Sequence, residues 1–154
     1  MSEESARQAL ERSGIDFAIT RHGRVGSLAE AAAARGVAPS AIVKTIVVRR
    51  GEGDYLFVLV PGGRTIAWPK LRALLGVSRL SMPDAATAKD VTGYERGTIT
   101  PFGASTAWPV IADAEVTGTV SIGAGAHGVA ATVQADALVA ALGAQVADVT
   151  EPEG

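Results

Sequence analysis

The chain has no cysteine, two histidines and few aromatic side chains: two Trp, two Tyr and three Phe among 154 residues. The missing cysteine excludes a thiolate nucleophile, disulfides and cysteine-ligated zinc, and fits a reducing compartment. His22 and His127 alone cannot furnish the three or four protein ligands that zinc commonly takes, so no metal is expected. Lys and Arg number 14 against 16 Asp and Glu, a formal net charge of −2. That balance argues against coating nucleic acid through the overall field, but leaves room for a local basic patch. No apolar run reaches the roughly 18 residues of a membrane span, and the start Met1-Ser2-Glu3-Glu4 has no basic segment leading into an apolar one. The expectation is a soluble cytoplasmic protein without a membrane partner. No G-x-x-x-x-G-K-[ST] phosphate loop and no G-x-S-x-G nucleophile elbow occurs.

What is present suits one globular domain over residues 1–154, since 47% of the residues are hydrophobic and 19% charged. Ala6, Ala9 and Leu10 share a helical face over 5–13, with Gly14 as a stop. Ile15, Phe17 and Ile19 alternate as in a short strand. Ser27-Leu28-Ala29-Glu30 is a capping-box pattern that opens an alanine-rich helix ending near Gly36. The apolar strand 42–48, the turn 51–54 and the strand 55–60 read as a hairpin. Pro69 suits a first helical position, Leu71, Leu74 and Leu75 form a stripe, and Gly76 suits a cap. Further strands are expected at 80–82, 110–112, 120–122, 131–133 and 146–149, with helices at 84–91 and 135–142. Helices interspersed with hairpins predict an α+β domain whose mixed, largely antiparallel sheet is flanked by helices.

Lys44 stands in the β-branched run Ile42-Val43-Lys44-Thr45-Ile46-Val47-Val48 and by alternation shares a face with Ile42, Ile46 and Val48. Burying an unpaired ammonium is unfavourable, so such a lysine lines a cleft, meets an anion, or snorkels to solvent from an edge strand. Thr92-Gly93-Tyr94-Glu95-Arg96-Gly97-Thr98-Ile99-Thr100-Pro101-Phe102-Gly103 has the glycines and proline of a shaped loop, which on local grounds is an ordinary tight turn. Gly123-Ala124-Gly125-Ala126-His127-Gly128 matches G-x-G-x-x-G literally, with Asp148 twenty residues on. A dinucleotide site needs a helix directly after the glycines, whereas Val129-Ala130-Ala131-Thr132-Val133 reads as a strand. Plain turn glycines, and no nicotinamide or flavin cofactor, are the expectation.

In this order, the segments Val43-Lys44-Thr45, Thr92-Gly93-Tyr94, Gly97-Thr98-Ile99-Thr100-Pro101 and Gly123 to Gly128, followed by a final helix and strand, resemble the YbaK/prolyl-tRNA synthetase-associated editing-domain family. The resemblance covers about residues 5–150. It implies that family's α+β fold and a stand-alone aminoacyl-tRNA deacylase, which hydrolyses the ester of a mischarged tRNA without cofactor. The family's strand lysine falls on Lys44 and its G-x-x-x-P loop on Gly97 to Pro101. The G-x-x-x-H of some subfamilies falls on Gly123 to His127. Lys44 and Gly97 are thereby the catalytic candidates, and Thr45, Thr98, Ile99, Thr100, Pro101, Gly123 and His127 the substrate-binding ones.

A cation can hold the terminal phosphate or ribose, while loop N–H groups polarise the ester carbonyl. The resemblance also implies that the tRNA's terminal ribose hydroxyl helps to activate water. The implied partner is the aminoacylated 3′ end of tRNA, with an aminoacyl-tRNA synthetase as a second candidate. Thr45 stands where alanine-editing members tend to carry asparagine, yet His127 resembles those members, and Ala130 stands where some cysteine-editing members are acidic. A small amino acid on tRNA-Pro is the implied substrate. The competing class is a catalytically silent module that binds aminoacyl-tRNA or a synthetase. Tyr94 reads as a loop prop and His22 as a surface residue. Arg49, Arg50, Arg64, Lys70 and Arg72 are candidates for carrying tRNA phosphate, although solvated charge is their default reading.

Overall fold

A computed structural model describes residues 2–154. Helix α1 (Glu3–Ser13) is opened by Ser2, whose side chain and that of Ser5 form a reciprocal capping box, and is closed by Gly14 at φ 76°. After strand β1 (Ala18–Arg21) comes α2 (Leu28–Arg35). The Ser27 hydroxyl accepts from the Glu30 N–H at 3.1 Å, and the Glu30 carboxylate accepts from the Gly26 N–H at 2.7 Å. Strands β2 (Ile42–Gly51), β3 (Asp54–Pro61) and β4 (Arg64–Ile66) lead into α3 (Trp68–Leu75) and α4 (Ala85–Thr92). The chain ends with β5 (Val110–Asp113), β6 (Thr119–Gly123), β7 (Val129–Gln134), α5 (Ala135–Leu142), β8 (Gln145–Ala147) and β9 (Thr150–Pro152).

Seven strands form one mixed sheet in the order β1-β7-β6-β2-β3-β5-β8, and β4 pairs with β9 in a second, two-stranded sheet. Parallel pairs (β2 with β6, β3 with β5, β5 with β8) are as numerous in the main sheet as antiparallel ones. The sheet is covered on both faces, and β3 records this directly. Its residues Tyr55, Phe57 and Leu59 enter one core with Leu10, Ala88 and Leu138, while Leu56, Val58 and Val60 enter another with Ile66, Leu71 and Val149. A strand buried on both faces reads as a continuous apolar run. Each buried Val, Leu or Phe side chain contributes about 1.5–3 kcal/mol, which makes β3 the anchor of the domain.

Three expectations are corrected. Residues 80–82 form no strand: Ser81 alone makes a bridge, with Arg49. The segment 146–149 divides, because β8 pairs with β5 and the chain then crosses to β4 as β9. Ile15 is buried, but pairing starts only at Ala18. The sheet β4–β9 was not legible, since three-residue strands carry too little pattern to register. The stretch Gly123 to Gly128 joins the antiparallel pair β6–β7, and a strand follows it where a dinucleotide site has a helix.

Candidate active site

Strand β2 pairs with β3 along its length but with β6 only at Ile42 and Val43. At its far end Arg49 and Ser81 exchange both main-chain hydrogen bonds, at 2.7 and 3.1 Å. Between these closures the β2 edge is unpaired, and a cleft of about 560 Å³ opens there. Six consecutive residues, Ile42 to Val47, line it, so the cleft straddles the strand edge and sees side chains of both faces. Main-chain groups of a strand alternate between its two edges. Because Arg49 directs its N–H and C=O toward Ser81, the same groups of Val47 and Thr45 face the cleft.

Val43 and Val47 belong to the larger core and flank Thr45 on its face. The Thr45 hydroxyl oxygen is buried without a hydrogen-bond partner among the described residues. Lys44 leaves the opposite face, beside Ile46 and Val48, and its side chain is 43% exposed. The ammonium approaches the Arg64 carbonyl at 3.5 Å and the Glu153 carboxylate at 3.6 Å.

The opposite wall is the loop 93–103 and the start of α4. Buried Tyr94 donates to the Phe102 carbonyl at 2.7 Å, and burial pushes its phenol pKa up. Thr92 donates to the Ala88 carbonyl and accepts from the Tyr94 N–H, and Trp108 donates its indole N–H to the Val91 carbonyl. The loop is thus clamped at both ends before Gly97 and Ile99 present themselves to the cleft. Gly97 has φ 89°, and a Cβ there would lie 3.5 Å from the His127 ring. The N–H groups of Gly97 and Ile99 find no acceptor among the described residues. They are free to polarise a carbonyl oxygen.

The second glycine stretch is a junction. A Cβ at Gly123 would press on the Ile99 carbonyl at 3.2 Å, one at Gly125 would strike the Ser2 carbonyl, and one at Gly128 the His22 carbonyl. The Gly125 N–H also donates to the Thr98 carbonyl at 3.2 Å. These glycines let β6 and β7 pass close under the loop, the start of α1 and His22.

Among the described residues three cationic side chains line the cleft, Lys44, Arg35 and Arg96, against one carboxylate, Asp84. Asp84 caps α4, and the Thr87 N–H it accepts holds its carboxyl below the usual range. Among the described residues no three His, Asp or Glu side chains come together as metal ligands.

Of the residues singled out in the sequence, Lys44, Thr45, Gly97, Ile99 and Gly123 line the cleft. Thr98 and Thr100 turn inward, donating to the Glu95 carbonyl and accepting from the Phe102 N–H. Pro101 borders a separate surface groove with Trp108 and Pro109. His127 stands outside, 70% exposed by side chain, with Nε2 3.4 Å from Glu95. Arg35, Arg96, Asp84 and Ala88 also line the cleft and were not singled out. Arg35 looked like any basic residue at a helix end, and no local signal distinguishes it.

Residues 22–141 match the aminoacyl-tRNA editing domain family. Two curated relatives are proline–tRNA ligases. That of Desulfovibrio desulfuricans is 38% identical over 101 residues, and that of Bacillus licheniformis 27% identical over 103. Those matches take in 66% and 67% of this chain but 17% and 18% of the ligases, so the chain spans under a fifth of their length. Among solved structures, a protein proposed as a trans-editing enzyme for prolyl-tRNA synthetase superposes with TM-score 0.86 at 27% identity, over 99% of this chain and 97% of that one. The hypothetical protein APE2540 superposes with TM-score 0.85 at 27% identity, over 96% and 99%. The chain belongs to the aminoacyl-tRNA editing domain family.

Proposed function

We propose that this protein is an aminoacyl-tRNA deacylase, which hydrolyses the ester joining an amino acid to the 3′ end of tRNA, and that it works in trans on a small amino acid wrongly esterified to tRNA-Pro, with Lys44 and Gly97 as its catalytic residues. The observation that carries the reading is the cleft on the unpaired β2 edge, where main-chain donors, one lysine and a preformed glycine loop converge. The ester carbonyl sits against the N–H groups of Gly97 and Ile99, which stabilise the oxyanion as water adds. Lys44 exchanges its exposed contact with Glu153 for the terminal ribose or phosphate. The ester is labile, so a positioned water suffices, activated by the terminal ribose hydroxyl. Thr45 and Gly123 shape the aminoacyl end, and the short lining side chains Val43, Val47 and Ala88 favour a small substituent.

A second surface fits the rest of the tRNA. Arg49, Arg50, Arg72 and Arg79 border one groove of about 420 Å³. It adjoins the cleft across the Arg49–Ser81 bridge. Phosphate contacts of this kind position a nucleic acid without reading its sequence. Arg64 and Lys70 are otherwise engaged, with Thr150 and with Asp148.

The test is release of amino acid from Ala-, Cys- and Ser-charged tRNA-Pro above the buffer rate. Release from at least one supports the proposal. Binding without accelerated release would favour a silent accessory module, and neither binding nor release would overturn both.

A further inference from the structure

Among the described residues Arg35 is the one half-buried cation of the cleft, since Lys44 and Arg96 are exposed. It leaves the last turn of α2 and lines the cleft together with Ile42, Val43 and Gly123. Its contacts are long. Nε donates to His22 Nε2 at 3.4 Å and Nη1 to the Ser121 hydroxyl at 3.4 Å. Arg7, Arg21 and Arg50 each have a carboxylate at ion-pair distance, whereas Arg35 has none among the described residues. Desolvation lowers the proton affinity of its guanidinium, which nevertheless stays charged. An arginine drawn partly out of water without a counter-charge is unfavourable unless a ligand supplies the anion.

The guanidinium is also aimed. His22 Nδ1 lies 2.8 Å from the Gly23 carbonyl and donates to it, which leaves the Nε2 lone pair facing the Arg35 Nε–H. The His22 N–H donates in turn to the Gly128 carbonyl at 2.8 Å. With Nε directed to the imidazole, the Nη2 edge has no partner among the described residues, and a planar fork suits two oxygens of one phosphate.

We propose that Arg35 binds the phosphate on the 5′ side of the terminal adenosine, anchoring the nucleotide while the ester lies against Gly97. The inference rests on the deacylase reading above, and it gives Arg35 the phosphate and Lys44 the ribose. His22 acts as a positioning residue through Arg35.

The experiment compares alanyl esters of adenosine and of adenosine 5′-monophosphate as substrates, and free adenosine, adenosine 5′-monophosphate and inorganic phosphate as ligands in calorimetry. Wild-type protein should cleave the phosphorylated ester with the higher kcat/KM and bind the monophosphate more tightly than adenosine. Losing a hydrogen bond to a charged group should shrink that preference about tenfold or more in Arg35→Gln, mainly through KM. Arg35→Lys should keep part of it. Should Arg35→Gln fail to fold by circular dichroism, Arg35→Lys carries the comparison. An undiminished preference, or equal losses on both esters, would overturn the assignment. Binding of inorganic phosphate as tight as that of the monophosphate would overturn the nucleotide as the ligand. If wild-type protein cleaves neither ester nor any charged tRNA, the deacylase reading fails, while the calorimetric comparison still decides the role of Arg35.

Discussion

Gly128 and His22 are packed main chain to main chain: the His22 N–H donates to the Gly128 carbonyl at 2.8 Å, and a Cβ on Gly128 would run into the His22 carbonyl. Gly128 also has φ 73°. Alanine there meets both strain and a backbone clash, whereas at Gly53, with φ 66° and nothing within 4 Å, it meets strain alone. The left-handed geometry costs roughly 1–2 kcal/mol, so Gly53→Ala should lower Tm by a few degrees and Gly128→Ala clearly more. Equal shifts in thermal melts would show that the junction yields without cost.

The local parts of the fold were legible because their chemistry is local. Ser27 with Glu30, Pro69, Gly14 and Gly76 place helix ends with short-range hydrogen bonds and left-handed caps. The alternation around Lys44 places a strand. The cleft was only half legible, because it is an absence of pairing between Val43 and Arg49, and a strand does not record which neighbour it lacks. Arg35 and Ala88 arrive from α2 and α4 through long-range packing. Arg64, Lys70 and Arg72 look alike in sequence, and the fold separates them: β9 claims the first, Asp148 the second, and the arginine groove takes the third.

Replacing Lys44 by Ala should abolish most deacylation while leaving the fold intact. Its ion pair with Glu153 is exposed and long, and surface pairs of this kind contribute about 0–1 kcal/mol. Single-turnover hydrolysis together with a thermal melt checks this. Near-wild-type turnover would remove Lys44 from the mechanism, and loss of folding would make it structural.

Thr45→Val separates stability from function. The buried hydroxyl has no partner among the described residues, so exchanging it for a methyl relieves desolvation of about 1–3 kcal/mol. Tm should stay level or rise. If that hydroxyl meets the aminoacyl group, kcat/KM falls in the same variant. A destabilised Thr45→Val would mean that the oxygen is bonded after all.

Tyr94 makes the stability of the loop depend on alkaline pH. Burial raises its phenol pKa, against a smaller opposing effect of the Ser5 hydroxyl. An acid kept neutral in the fold contributes stability that is fully present below the ordinary phenol pKa of about 10 and is lost as pH rises through the folded value. Tyr94→Phe should remove that alkaline loss. It should also cost about 1–3 kcal/mol at neutral pH, because the buried Phe102 carbonyl loses its donor. Denaturant melts between neutral pH and pH about 11 measure both effects, and an unchanged slope in the variant would sink the assignment.

The arginine groove predicts how affinity depends on salt. Arg49, Arg72 and Arg79 have no carboxylate at ion-pair distance among the described residues, whereas Arg50 is held by Asp54 at 3.0 Å. With a net charge of −2 the protein as a whole does not attract tRNA, so long-range attraction must come from this groove and the cleft beside it. Each phosphate contact releases counterions and adds about 0.7–0.9 to the slope of log affinity against log salt. Replacing Arg72 and Arg79 together by Gln should reduce the slope by roughly 1.4–1.8 and weaken binding at low salt far more than at high salt. Filter binding of uncharged tRNA-Pro across a salt series measures it. A slope equal to that of the wild type would place the tRNA on another face.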